Sequence, residues 1–297
     1  MKIIIAGGTG SIGSSLIEKI KDDNEIIVLS RSKSHQISKN LKQINYNQEF
    51  NIWIPELEGT DVLINLVGER IDKKRWSAKQ KKKILNSRLK SIEIISRALS
   101  QIRNKPRLII NASAVGYYSY SYAKQDEQNS RGDHFLSDVC YQWETKAKKE
   151  FSKLTEKLVL ARIGVVLDSK SGIISKLRFI FKLGFGAILG NGKQVLPWID
   201  MEDVVGAFQH IMKKQLSGPI NLTAPANDTN YVFSKFLGKI IKRPVFFYVP
   251  GFLLRILIGK MSVMALGSLN IYPKVLLESG YNFKFTNLYK SIEKNIN

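Results

Sequence analysis

The chain has 297 residues, 44% of them hydrophobic, and 46 Lys and Arg against 25 Asp and Glu give a net charge of +21. That length and apolar content exclude a disordered chain and a fibre, and leave room for one large α/β domain or a domain with a smaller lobe. A single cysteine, Cys140, excludes an internal disulfide and fits a reducing, cytoplasmic setting. The positive charge is spread along a chain rich in Lys, Ile and Asn and reads as compositional bias, although it also favours an anionic cofactor or substrate. A nucleic-acid role ranks last, because the basic residues are not interleaved with aromatics in any recognised module.

Lys2–Ala6 reads as a strand, and glycine punctuation interrupts it too early for a leader peptide. A helical pattern follows with Ile12, Leu16, Ile17 and Ile20 on one face, then a second strand at Glu25–Leu29. This spacing predicts a right-handed parallel crossover. Asn40–Trp53 is ambiguous and holds a short third strand, and Asp61–Val67 is a buried strand. Lys79–Leu99 is a long helix with one basic face. Arg107–Ser113, Phe135–Phe151 and Lys157–Leu167 continue as strand, helix, strand. The expected fold is therefore α/β, a Rossmann-type doubly wound parallel sheet over residues 1–167.

Residues 168–297 form the expected smaller C-terminal α+β lobe, with a return to the first unit around 195–215. Val204–Lys213 and Tyr231–Ile241 read as helices. Phe252–Leu266 reads as one apolar helix carrying Arg255 and Lys260, too short for a membrane span and suited to a homodimer interface. His35, His134 and His210 have no metal-ligand spacing, so no metal is expected.

The loop Gly7-Gly8-Thr9-Gly10-Ser11-Ile12-Gly13 follows a strand and opens a helix. Glycines there permit the tight turn and let backbone N–H groups approach a pyrophosphate at a helix N-terminus. The expected contacts are Gly7, Thr9, Gly10, Ser11, Ile12 and Gly13. The second strand ends in Leu29-Ser30-Arg31-Ser32-Lys33, with no acid to bind ribose hydroxyls. Ser30 and Arg31 instead match a 2′-phosphate, which selects NADP over NAD.

These segments are joined by INLVGE at 64–69, SAVGYY at 113–118, C-x-x-W-E at Cys140–Glu144, RIGVVL at 162–167 and LGFGAILGNGKQVLPWID at 183–200. NLTAPA at 221–226 and P-K-x-L-x-x-x-G-Y-x-F around Pro273–Phe283 complete the set. With them the chain resembles the extended short-chain dehydrogenase/reductase superfamily, and within it the epimerase-like family 39U of sulA-type, cell-division-inhibitor-like proteins. The resemblance implies adenosine and ribose contacts at Leu66 and Val67. It implies cofactor-facing positions at Lys83 and Arg88, and a backbone contact near the nicotinamide at Val166.

Reductases of that superfamily use a serine with a Tyr-x-x-x-Lys pair. Ser113 stands where the serine belongs, but the Tyr-x-x-x-Lys positions hold Cys140 and Glu144. Tyr117, Tyr118 and Tyr141 are alternative acids, with Ser113, Tyr117 and Tyr141 the catalytic candidates. Tyr141 and Lys146 are five apart, which splays them onto different helix faces. Asp203 reads as a cleft-closing or helix-capping residue, with Asp200 upstream. The expected function is an NADP-binding oxidoreductase or epimerase acting on a small polar substrate. The alternative is a catalytically silent cofactor-binding regulator linked to cell division or redox sensing.

Overall fold

A computed structural model describes residues 1–296. Its centre is an eight-stranded sheet. In chain order the strands are β1 (Lys2–Ala6), β2 (Glu25–Ser30), β3 (His35–Ser38), β4 (Leu41–Asn45), β5 (Val62–Asn65), β6 (Leu108–Ala114), β7 (Lys157–Ile163) and β8 (Gly218–Leu222). Across the sheet they run β8-β7-β6-β5-β1-β2-β4-β3. All neighbours are parallel except the edge pair β4–β3.

Near-continuous Ile, Leu and Val runs suit such strands, because both faces are covered. Ile3 and Ile5 pack on one face with Leu16, Val204 and Phe208. Ile4 and Ala6 pack on the other with Ile92, Leu99 and Phe151. The period-two alternation of a strand thus feeds two separate cores, each fully buried Ile contributing about 1.5–3 kcal/mol.

Helix α1 (Ser11–Ile20) crosses from β1 to β2, and α2 (Ala78–Gln101) from β5 to β6. Ser77 starts α2 by accepting a hydrogen bond from the Gln80 N–H. Helix α3 (Phe135–Phe151) joins β6 to β7. The chain then departs, and Trp198–Asp200 comes back in parallel beside Val165–Leu167. Helix α4 (Gly172–Lys182) lies in that excursion. Helix α5 (Met201–Lys214) follows the return and leads into β8 on the sheet edge.

A third core holds Leu167, Ile174, Phe181, Trp198, Phe233, Leu237, Leu288 and Ile292. It joins α4 to α6 (Asn230–Ile241) and α8 (Leu288–Ile296). Between these last two, the expected single helix over Phe252–Leu266 is broken. Helix α7 (Gly251–Ile258) ends at Gly259, whose φ of +62° leaves the helical region, and a short turn precedes Val263–Leu266. No described helix is long and apolar enough to cross a membrane.

Candidate functional site

In the sheet order, β1 lies between β5 and β2, so the order in which strands are added to the sheet reverses beside it. Ligands of open α/β sheets bind at the carboxyl ends of strands at such a point. The loop Gly7–Gly10 leaves β1 there. Gly7 has φ +81°, and a Cβ on it would lie 3.0 Å from the Leu66 carbonyl carbon and 3.1 Å from the Val67 nitrogen. A Cβ on Gly13 would lie 2.6 Å from the Gly8 Cα. Only glycine lets the loop close this tightly on itself and against the segment that follows β5. Gly10 is the N-cap of α1 and has no side chain to satisfy the first-turn N–H groups. That cradle, containing Thr9, Ser11 and Ile12, fits an anionic pyrophosphate.

Ser30 is buried and accepts a hydrogen bond from Ser32 N–H at 3.1 Å. Arg31 follows it exposed to solvent, with no ion pair among the described residues. An apolar slot opens alongside, lined by Ala6, Leu29, Tyr46, Val67, Ser91, Ile94 and Ile95. Val67 borders it, and Asn65 holds its backbone in place. The Asn65 amide donates to Asn111 Oδ1 at 2.7 Å, while its own oxygen accepts from Val67 N–H at 3.2 Å. Asn65 and Asn111 are cross-strand partners, a pairing that reading single strands does not reveal.

A second polar row crosses the sheet beyond this point. Ser113, Arg162 and Asn221 are direct neighbours on β6, β7 and β8. Ser113 Oγ donates to Glu144 Oε1 at 2.6 Å. Arg162 meets the same carboxylate with two prongs, Nε to Oε1 at 2.9 Å and Nη2 to Oε2 at 2.8 Å. Arg162 Nη1 also donates to the Tyr118 hydroxyl at 2.8 Å, which donates onward to Asn221 Oδ1 at 2.7 Å. Burial works against the arginine's charge, but Glu144 more than offsets it and raises the Arg162 pKa. Burial also raises the Tyr118 pKa, so that hydroxyl stays protonated.

Tyr117 differs from Tyr118. Its ring lies over the Arg162 guanidinium at 3.5 Å, and it is half-buried. Cys140 is buried, and burial followed by the Glu144 charge pushes its thiol up to about 12. A thiol held neutral in this way is a poor nucleophile or acid–base group near neutral pH. Tyr141 lies on the exposed face of α3, under the Arg131 guanidinium at 4.4 Å. The structure therefore gathers Ser113 and Tyr117 around Arg162 and leaves Tyr141 outside that group. Arg162, Glu144 and Asn221 had gone unmarked as partners because their contacts are nonlocal.

The remaining positions are held as follows. Lys83 is exposed and pairs with Glu69 at 3.3 Å. Arg88 donates to the carbonyls of Glu69 and Ile84 and lies over the Trp143 ring at 4.8 Å. Val166 sits in the strand beside Trp198–Asp200. Ser11 hydrogen-bonds with Ser171 at 2.6 Å and donates to Asp168 Oδ2 at 3.2 Å, which joins the glycine loop to the start of α4. The cap of α5 is Asp200, not Asp203. Asp203 is buried and accepts from Lys284 N–H, Phe285 N–H and the Tyr281 hydroxyl, so it fastens the C-terminal segment instead.

Residues 3–142 match the model of the NAD-dependent epimerase/dehydratase family, and residues 249–294 match a domain of unknown function. An epimerase family protein of Staphylococcus haemolyticus is 32% identical over 296 residues, covering 98% of each chain. Human epimerase family protein SDR39U1 (isoform 2), crystallised with NADPH, superposes with a TM-score of 0.88 at 27% identity, covering 100% of this chain and 99% of that one. A nucleoside-diphosphate sugar epimerase from Corynebacterium glutamicum shares the fold, with a TM-score of 0.76 at 23% identity over 58% of its length.

Proposed function

The chain belongs to the NAD-dependent epimerase/dehydratase family, and on that premise we propose that it binds NADP and acts on a small polar substrate as an oxidoreductase or epimerase. One observation carries the cofactor reading: β1 ends in a glycine cradle at the switch point, and the neighbouring β2 ends in Ser30 and an exposed Arg31 that has no ion pair among the described residues, with no acid in that turn. The N-terminus of α1 would hold the pyrophosphate and Arg31 the 2′-phosphate. Leu66 and Val67 would border the adenosine, and the human relative crystallised with NADPH supports NADP as the cofactor. NADP supplies redox exchange at its nicotinamide ring when bound.

The chain's own contribution is an altered proton arrangement. Glu144 stands where the family's lysine is expected, and Arg162 neutralises it. Tyr117, half-buried with its ring over the Arg162 guanidinium, serves as the acid in this reading. Ser113 is a positioning group in this reading, since its proton is directed to Glu144. That same hydrogen bond favours the second reading, a cofactor-binding protein without turnover.

Thermal-shift titration with NADPH and NADH tests the cofactor, with larger stabilisation expected from NADPH. Oxidation of NADPH over a panel of carbonyls and sugar nucleotides then separates the two readings. Turnover lost in Tyr117→Phe but retained in Tyr141→Phe supports the enzyme. Cofactor binding with no turnover on any substrate leaves the silent protein.

A further inference from the structure

The charge of this chain is not evenly placed. Between Asp168 and Asp200 lie five basic residues and no acidic one. Between Asp228 and Glu278 lie seven basic residues and again no acidic one. These two stretches meet in space, since Ala187–Leu189 pairs in parallel with Phe247–Val249. Arg243 Nε also donates to the Lys182 carbonyl at 3.2 Å, which ties the end of α4 to the loop before that strand.

The same junction is covered with large apolar side chains. Phe185, Phe246, Phe247, Phe252 and Ile256 are between 65% and 73% exposed. Phe185 is two residues before the pairing partner of Phe247, and Phe252 follows that strand after one tight turn. A soluble monomer seldom shows so many aromatics together, and a patch of this kind marks an interaction surface. Arg243 and Lys182 meet at this junction, and Arg255 shares α7 with Phe252 and Ile256, so exposed cations adjoin the apolar side chains.

We propose that this face docks on the surface of an anionic lipid bilayer, with the phenylalanines in the headgroup–acyl boundary and the adjoining cations on the lipid phosphates. An apolar centre bordered by cations is the signature of interfacial insertion, and each cation near an anionic surface adds to the attraction. The charge pattern argues against a second copy as occupant. A twofold-symmetric contact would set Lys182, Arg243 and Arg255 of one copy against the same cations of the other, with no acid in either stretch to pair them. The inference stands apart from the cofactor reading, since none of these side chains belongs to the nucleotide cradle.

Co-sedimentation tests it, using vesicles of phosphatidylcholine alone and vesicles with about one third phosphatidylglycerol, at about 0.15 M salt. The expected result is at least about tenfold stronger binding to the anionic vesicles. The double substitution Phe246→Ser and Phe252→Ser should weaken that binding about tenfold while leaving the NADPH thermal shift unchanged. A second measurement does not depend on that variant. All four native tryptophans are buried, Trp53, Trp76, Trp143 and Trp198. Phe252→Trp should therefore show a blue-shifted emission with anionic vesicles. Absence of binding, equal binding to both vesicles, or binding undiminished by the double substitution together with an unshifted emission overturns the proposal. So does a dimer in sedimentation velocity that the double substitution dissolves, which assigns the face to a second copy.

Discussion

Arg162 and Glu144 form a two-pronged buried ion pair, with side chains each 4% exposed, at the position where the family's lysine is expected. Taking two charges out of water is costly, and a pair of this kind is held by geometry. Removing one partner strands the other. Glu144→Ala should therefore lower stability by about 3–5 kcal/mol. Urea denaturation checks it, and the paired substitution Glu144→Met with Arg162→Leu should recover most of the loss. A single substitution that costs nothing would mean the pair is not formed.

In the proposed reading, Arg31 is the residue on which the choice of cofactor turns. Its guanidinium is exposed and unpaired, so removing it leaves no broken contact in the fold. Charge-assisted hydrogen bonds to a phosphate contribute about 1.5–3 kcal/mol. Arg31→Ala should weaken NADPH binding by roughly ten- to a hundredfold and leave NADH binding nearly unchanged. Fluorescence titration with both nucleotides distinguishes this from a general loss of the site.

Gly13 is constrained by its own loop. A methyl group there would meet the Gly8 Cα at 2.6 Å and the Gly7 carbonyl oxygen at 2.7 Å. Both neighbours are backbone and cannot rotate away. Gly13→Ala should push α1 off the strand, cost about 1–3 kcal/mol in stability, and abolish the NADPH thermal shift. Gly59→Ala is the useful contrast, because no atom lies within 4 Å of a Cβ there, although its φ of +73° still strains the turn.

What the sequence discloses and what it conceals divide along one physical line. The glycine spacing, the apolar strand runs and the stripe of α2 are local patterns, and β1, α1, β2, β5, β6 and β7 follow from them. The contacts of Arg162 are not local. It reaches Glu144 across 18 residues and Tyr118 across 44, and Asn221 joins through a strand that comes 103 residues after Tyr118. No periodicity encodes that strand order, so Glu144 reads as a missing lysine until its partner is seen. The apolar run Phe252–Leu266 shows the opposite error. Hydrophobic content alone suggests one helix, and Gly259 with φ +62° divides it.

Asp72 ties the loop after β5 to α4 by pairing with both Arg70 and Lys176. Burial opposes its charge, but those two cations overcome it and bring its pKa from 3.8 down to about 2. A carboxyl whose pKa is depressed on folding stabilises above its ordinary value, and the contribution fades as pH falls toward the folded value. The stability gap between the native chain and Asp72→Asn should therefore be full above about pH 5 and shrink toward about pH 2. The site is partly exposed, so the gap should be about 1 kcal/mol or less. Parallel urea titrations across that range measure it, and a gap that widens on acidification would reverse the assignment.

Asp168 stands beside the N-terminus of α1, where it accepts from Ser171 Oγ at 2.6 Å and Ser11 Oγ at 3.2 Å. Its carboxylate thus lies at the end of the helix that carries the positive dipole, on the residue that opens the cradle. A pyrophosphate held at that helix end, as proposed, would meet a negative charge that opposes its binding. Asp168→Asn keeps an acceptor for both serines and removes that charge. It should tighten NADPH binding several-fold, with a larger gain at low salt because the repulsion is screened. Asp168→Ala also removes the acceptor, so it should release the start of α4 and tighten binding less. Titration of both variants at two salt concentrations separates charge from tethering. Weaker binding in Asp168→Asn would show that the carboxylate organises the cradle and does not compete with its ligand.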